Sequence, residues 1–159
     1  MRKEDQAVTG QISLTFSYAA GQTGSRFFAE LRDHRRIIGT SCSECHRVLV
    51  PARQFCSHCV AAAGGWVEVS PRGTLVSYTV IPQVQPHQKH LLSHLPTGPL
   101  IYGLIRLEGA DTNLVHLLGE IPPETVRIGM RVQAVFREKR EGNILDITYF
   151  KPVIEQRAL

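Results

Sequence analysis

Hydrophobic positions along the chain change period once, and the change separates two kinds of structure. Phe27, Leu31, His34 and Ile38 recur at helical spacing, with Phe28 widening the stripe. Arg32, Asp33, Arg35 and Arg36 fall on the other faces. An amphipathic helix is predicted here, with Ser25 as its cap, ended by Gly39 or followed by a short strand leading to Cys42. The stripe has two possible fates, packing on the rest of the chain or docking on a partner. Phe27 and Phe28 are adjacent and cannot both point the same way, so one can serve each fate. The preceding residues 1–24 are polar and glycine-containing, with one candidate strand at Gln11–Tyr18.

Beyond the small-residue linker Ala61-Ala62-Ala63-Gly64-Gly65 the period becomes two. Strands are predicted at Trp66–Val69, Thr74–Ile81, Leu100–Leu107, Asn113–Leu118, Arg131–Glu138 and Ile144–Phe150. Val76, Tyr78 and Val80 share one face of the second, and Val132, Ala134 and Phe136 turn inward on the fifth. Pro71-Arg72-Gly73, Glu108-Gly109-Ala110-Asp111 and Glu141-Gly142-Asn143 are turns. Pro122–Val126 reads as a helical turn ended by Gly129. Five or six short antiparallel strands in so few residues point to a small Greek-key barrel, an OB-fold before other small barrels. The stretch Pro82–Pro99 interrupts them. It carries His87, His90 and His94 without a carboxylate or cysteine beside them, so a ligand-responsive loop is expected there rather than a second metal site.

Between the two regions stand Cys42, Cys45, Cys56 and Cys59, the only cysteines of the chain, as two Cys-x-x-Cys pairs ten residues apart. Each pair can place two thiolates on one side of a metal, and two pairs complete a closed tetrahedral zinc site. Disulfides are the rival reading. No apolar leader segment follows Met1-Arg2-Lys3-Glu4-Asp5 and no run approaches a membrane span, so a cytoplasmic, reducing setting is expected, where such pairs bind metal. A thioredoxin-like role lacks its βαβ context. His46 and His58 adjoin the pairs and could replace a cysteine, but four thiolates already fill the site. Arg47-Val48-Leu49-Val50 reads as a short strand and Pro51 as a turn, which gives a zinc ribbon of two hairpins. The expected architecture is mainly β with an N-terminal helix. Its parts are an extension and helix over residues 1–38, a rubredoxin-like zinc ribbon over 39–65 and an OB-fold barrel over 66–159.

Composition adds little to this picture. The chain has 159 residues, 43% hydrophobic and 20% charged, with a formal charge of +4, which suits one compact domain or two small ones. The arginines concentrate early, at positions 26, 32, 35, 36, 47, 53 and 72. That clustering suits a phosphate-bearing ligand or an acidic partner, or is a solvated arginine-rich surface. Catalytic signatures are missing: there is no Gly-x-Ser-x-Gly, P-loop or dinucleotide fingerprint. Cysteine catalysis needs a free thiolate beside a base, and the metal claims all four thiols. Nucleic-acid binding is the alternative class, since ribbons and OB-folds serve it. It ranks second because the barrel strands carry few lysines and Tyr78, Tyr102, Phe136, Tyr149 and Phe150 fall mostly in core slots rather than on a stacking face.

Several short motifs, in order, carry a family resemblance. They are Tyr18-Ala19-Ala20-Gly21, Arg26-Phe27-Phe28 with Leu31, and Gly39 before Cys42-Ser43-Glu44-Cys45. Next come Val50-Pro51-Ala52-Arg53, Cys56-Ser57-His58-Cys59, Trp66-Val67-Glu68 and Gly73-Thr74 with Ser77-Tyr78-Thr79-Val80. Leu107-Glu108-Gly109, Ile128-Gly129-Met130-Arg131-Val132 with Phe136, and Phe150-Lys151-Pro152 complete the series. From Tyr18 to Pro152 the chain resembles the acyl-CoA-associated proteins built of a rubredoxin-like zinc ribbon and an OB-fold. It departs from their pattern at Ala52 and Ser57, where the family often has proline. The resemblance implies a non-catalytic subunit with structural zinc, obligately paired with a thiolase or thiolase-like enzyme that supplies the nucleophilic cysteine. The shared reaction would be thiolytic, acyl-transferring or retro-aldol chemistry on a CoA ester, in a hetero-oligomer. On that footing Arg53 and Arg47 of the ribbon, Arg26 and Arg36 of the helix, and Lys89 of the long loop are candidate contacts to CoA phosphates, because guanidinium forks match phosphate oxygens. Partner-facing ion pairing is the competing use of each.

Overall fold

A computed structural model describes residues 17–82 and 98–153. The candidate strand Gln11–Tyr18 lies outside the described residues save for its last two positions, which are not in a strand. Helix α1, Gly21–His34, starts four residues before Ser25 and has no side-chain cap. Phe27 and Leu31 are buried. Phe28 is half-buried against the same core, its ring 5.5 Å from that of Phe27. Phe27, Leu31 and much of Phe28 therefore pack inward, while His34 of the same stripe stays exposed beside Glu30. Arg35 adopts a left-handed conformation (φ 56°), and the Arg36 N–H bonds the Glu30 carbonyl at 3.2 Å. The turn ends the helix before Ile38, which joins a strand instead of extending the stripe.

The ribbon sheet has the order β2-β1-β3, from β1 (Ile37–Cys42), β2 (Val48–Leu49) and β3 (Ala63–Val69). Here the structure corrects the predicted linker. Ala63-Gly64-Gly65 begins a strand, and Trp66–Val69 continues it alongside β1, Ile37 facing Val69 and Thr40 facing Trp66. Small residues carry no periodicity, so the alternation became visible only at Trp66. Hydrogen bonding in this sheet thus crosses positions 38/39 and 65/66. Gly39 is required where β1 passes β2, since a Cβ there would lie 2.7 Å from the Leu49 carbonyl oxygen.

Five strands close the barrel in the order β4-β5-β6-β8-β7. They are β4 (Arg72–Ile81), β5 (Leu100–Leu107), β6 (Asn113–Leu118), β7 (Arg131–Phe136) and β8 (Ile147–Pro152). β4 pairs with both β5 and β7, and β6 meets β8 in parallel at Leu118 and Phe150. This Greek-key closure is that of an OB-fold. A register shift between Leu75 and Ser77 makes Val76 the extra residue and sets Tyr78 opposite buried Gly103, on the face of fully buried Leu75, although Tyr78 itself stays 37% exposed. A bulge adds one residue and so inverts every side chain beyond it. A second shift at Val135/Phe136 leaves Phe136 only half-buried. The predicted strand at Ile144 starts instead with a 3-10 turn, Ile144–Asp146. The helical turn at Pro123–Thr125 forms as predicted.

One apolar core runs through all three parts. Phe27 and Leu31 of α1, Ile37, Ile38, Val50 and Val69 of the ribbon, and Leu75, Ile105, Leu107, Val132, Ile147 and Phe150 of the barrel belong to it. The turn joining β5 to β6 hooks the ribbon. Asp111 Oδ2 accepts from the Val48 N–H at 2.8 Å, and the Thr112 hydroxyl bonds both the N–H and the carbonyl of Val50. Among the described residues no helix is long and apolar enough to cross a membrane.

Candidate metal centre, basic surface and barrel cavity

β1 delivers Cys42 to the tip of the ribbon, and the two short turns Cys42–Cys45 and Cys56–Cys59 wrap back on each other. Ala61 and Ala62 return the chain, with the Cys56 N–H bonding the Ala61 carbonyl at 2.9 Å. All four Sγ atoms lie within 4.8 Å of one another, Cys42 to Cys59 at 4.0 Å and Cys45 to Cys56 at 3.8 Å. A tetrahedral zinc with Zn–S bonds of about 2.3 Å spaces its sulfurs by about 3.8 Å, so the donor set fits that ion. Backbone N–H groups support anionic sulfur: that of Glu44 points at Cys42 Sγ at 3.4 Å. Those of Cys59 and His58 lower the Cys56 thiol below its ordinary range. The Cys59 thiol is pushed the other way, by its hydrogen bond with Cys45 first and then by burial. Four thiolates at this spacing repel, and a divalent cation is the natural counter-charge. Four ligands leave no open position for substrate or water. His58 Nδ1 lies 3.5 Å from Cys59 Sγ, beside the sulfur set rather than replacing a member of it.

The basic residues separate into two groups. Arg26 stacks its guanidinium 4.2 Å above the Trp66 ring. Arg36 pairs with Glu30 at 2.7 Å and with Glu68 at 3.3 Å, and its hydrogen bond holds the Glu30 carboxyl below the ordinary range. Trp66 and Glu68 sit two apart on β3 and so share a face, which brings Arg26 and Arg36 to one surface. Arg47 and Arg53 are exposed and make no side-chain hydrogen bond or ion pair among the described residues. The backbone at Arg53 is nonetheless held: buried Thr40 accepts from its N–H at 3.0 Å and donates to its carbonyl at 2.7 Å. Lys89 and the three loop histidines lie outside the described residues.

A cavity of about 490 Å³ at one end of the barrel had no signal in the sequence. Leu100 and Ile101 begin β5, Leu117 and Leu118 end β6, and Ile121 and Leu145 close the sides. These positions look like ordinary core in a one-dimensional pattern, and only barrel closure reveals the gap. At its rim Glu120 takes a left-handed conformation (φ 54°). It accepts from the Tyr149 hydroxyl at 2.7 Å and faces Lys151 at 3.5 Å. Gly119 is required beside it, since a Cβ there would lie 2.6 Å from the Tyr149 ring.

His116 ties one wall to another. Its Nδ1 accepts from the Leu117 N–H at 2.9 Å, which places the proton on Nε2, donated to the Ile144 carbonyl at 3.2 Å. Burial lowers its pKa, against the raising effect of the Ile144 contact. The unfolded chain takes up this proton below about pH 6.5, before the folded chain does. Stability is therefore expected to fall as pH drops through 6.5, with a slope of up to about 1.4 kcal/mol per pH unit from this group. Urea unfolding of the wild type and His116→Gln across pH 5–8 measures it. The difference between the two profiles should be confined to the acidic side, and parallel profiles would remove His116 as the cause.

A four-cysteine ribbon fused to a five-stranded barrel through a shared core defines a zinc-ribbon/OB-fold protein. Two family models match it in succession, the ChsH2 rubredoxin-like zinc ribbon domain over residues 29–63 and the ChsH2 C-terminal OB-fold domain over residues 66–137. The chain belongs to this family. It is 29% identical to a DUF35 domain-containing scaffold protein of Methanocaldococcus jannaschii, covering 80% of this chain and 89% of the relative. A scaffold protein of the same description from Pyrococcus furiosus is 28% identical, covering 82% and 93%. Among solved structures, the chain resembles the Ltp2-ChsH2(DUF35) aldolase with a TM-score of 0.61 and 26% identity, covering 86% of this chain and 98% of that one. A DUF35-family protein of unknown function from Sulfolobus solfataricus matches with a TM-score of 0.57 and 28% identity, covering 72% and 78%.

Proposed function

We propose that this chain is a non-catalytic accessory subunit of a thiolase-like enzyme, stabilised by one zinc ion on Cys42, Cys45, Cys56 and Cys59, and that it helps to bind or channel an acyl-CoA. The observation that carries the reading is the near full-length likeness to scaffold proteins and to the DUF35 chain of an aldolase. The closed sulfur set agrees with it. A thiol committed to metal is not a nucleophile, so the carbon–carbon chemistry belongs to the partner's cysteine. Arg53 and Arg47 are the preferred phosphate contacts, because their guanidinium groups have no other engagement among the described residues. Arg26 and Arg36 are already held by Trp66, Glu30 and Glu68, and would have to share or exchange those contacts.

The test is reconstitution with a thiolase-like enzyme encoded beside this chain. Co-purification in fixed stoichiometry is expected, with CoA-ester turnover by the complex and none by the isolated chain. Arg53→Ala should weaken CoA binding to the complex about tenfold, as for a lost charge-assisted hydrogen bond. Turnover by the isolated chain would end the reading. Salt-sensitive binding of single-stranded oligonucleotides without any response to CoA esters would replace it with nucleic-acid recognition.

A further inference from the structure

The barrel cavity lies at the end of β5 away from the ribbon. The ribbon is hooked by the turn that follows Leu107, whereas the cavity is lined by Leu100 and Ile101. Seven residues of strand separate the two, roughly 20 Å at the usual strand rise. At about 490 Å³ the cavity is within the usual size for a small-molecule site. Its walls are mostly aliphatic, with Leu100, Ile101, Leu117, Leu118, Ile121 and Leu145 the main contributors. Among the described residues, charge enters at two places. Glu120 is already answered by Tyr149 and Lys151. Arg137, half-buried where the chain leaves β7, lines the cavity and its guanidinium has no hydrogen bond or ion pair among the described residues. Its backbone is anchored: the Arg137 N–H donates to the Asp146 carbonyl at 2.9 Å, and its carbonyl accepts from Arg140 at 2.9 Å.

We infer that this cavity binds an aliphatic carboxylate, with the hydrocarbon chain against the leucine and isoleucine walls and the carboxylate on Arg137. An apolar pocket favours the chain by burying it. A half-buried guanidinium without a partner among the described residues favours a planar anion that can take two parallel N–H bonds. The neutralised Glu120 leaves that positive charge unopposed. The site extends the acyl-CoA reading from the ribbon arginines to a separate seat, for a free acid rather than for a CoA head group, and it requires no partner enzyme.

Calorimetric titration of the full chain with decanoate, decanol and decanoyl-CoA tests it. Decanoate should bind, and decanol, with the same chain and no charge, should bind at least about tenfold more weakly. Arg137→Gln should weaken decanoate by a similar factor and leave decanol unchanged, while Arg137→Lys should restore part of the loss. Ile121→Trp, which fills the cavity, should abolish binding of both. Equal affinity for acid and alcohol would overturn the assignment, as would an Arg137→Gln variant that binds decanoate normally. Decanoyl-CoA binding more tightly than decanoate through Arg137 would also overturn it, by giving the seat to the thioester. Capture of the thiolase-like partner by Arg137→Gln is measured in parallel. Retained capture with lost decanoate binding supports the cavity site, and lost capture with normal decanoate binding counts against it as an independent seat.

Discussion

Cys56→Ser is expected to abolish zinc binding and unfold the ribbon while the barrel survives. The ribbon's private core is very small: Cys42, Leu49, Cys56 and Ala63 are its buried members, so half of it is the metal site itself. Such a core cannot offset the entropy of ordering about twenty residues of turn, which costs roughly 1–2 kcal/mol each. Metal binding to structural sites in zinc-finger peptides supplies about 10–16 kcal/mol apparent, and that term is what holds the two knuckles together. The barrel has its own buried members, Leu75, Ile105, Val132, Ile147 and Phe150, and a closed hydrogen-bond ladder. Metal analysis should give one zinc per wild-type chain and none for the variant. Amide exchange should lose protection over residues 42–62 and keep it in β5 and β8. A variant that retains stoichiometric zinc, or unchanged protection at the knuckles, would show that the four cysteines are not its ligands. A chelator that strips the wild type should reproduce the variant's exchange pattern. If Arg53 holds a CoA phosphate as proposed, CoA binding should be lost in both, since Arg53 is positioned by Thr40, and Thr40 sits on the strand that ends in Cys42.

Asp146→Ala is expected to be the most damaging single change in the barrel that creates no cavity of consequence. The carboxylate is fully buried. It accepts from the Glu141 N–H at 2.8 Å, the Gly142 N–H at 2.7 Å and the Asn143 N–H at 3.3 Å. Asn143 returns the favour by accepting from the Leu145 N–H at 2.8 Å, which completes a capping box. This knot shapes the 3-10 turn that supplies Leu145 to the cavity and Ile144 to His116. It also holds the loop whose Arg140 donates to the Arg32 carbonyl at 2.6 Å, where α1 ends. Truncation leaves three partly buried donors without an acceptor, at about 1–3 kcal/mol each before relaxation. A net loss of roughly 3–5 kcal/mol is expected, about 10 °C in Tm for a domain of this size. Asp146→Asn keeps one acceptor oxygen and should lose less. Chemical denaturation of the three proteins measures the order, and an alanine variant within about 1 kcal/mol of wild type would show that water replaces the carboxylate.

The four-cysteine cluster was legible from spacing alone. Two Cys-x-x-Cys pairs specify a tetrahedral donor set because each pair constrains its own turn, and no distant contact is needed to bring its two sulfurs together. The barrel was legible for a related reason: period two survives in Arg131–Phe136, where Val132 and Ala134 are buried, and Leu100–Leu107 carries apolar residues on both faces, as a central strand does. Asp146 was not. A lone aspartate after Ile144 and Leu145 carries no mark of a buried anchor until the Glu141–Asn143 turn folds over it.

What the sequence determined by itself was therefore local. It set the helix stripe that buries Phe27 and Leu31, the cysteine pairs, and the alternation that makes an OB-like barrel. Tertiary structure decided what depends on pairing between distant segments. It recruited Ala63–Val69 into the ribbon sheet because β1 offered Ile37–Cys42 as a partner. It set Tyr78 and Val80 on the face of Leu75 because the pairing of β4 with β5 absorbs Val76 as an extra residue. It occupied Arg26 and Arg36 with partners on β3 while leaving Arg53 and Arg137 unengaged. Side-chain period reports which face a residue takes in a regular element. Register, bulges and barrel closure are set by the fit between elements, and they decide which charges are neutralised and where a cavity opens.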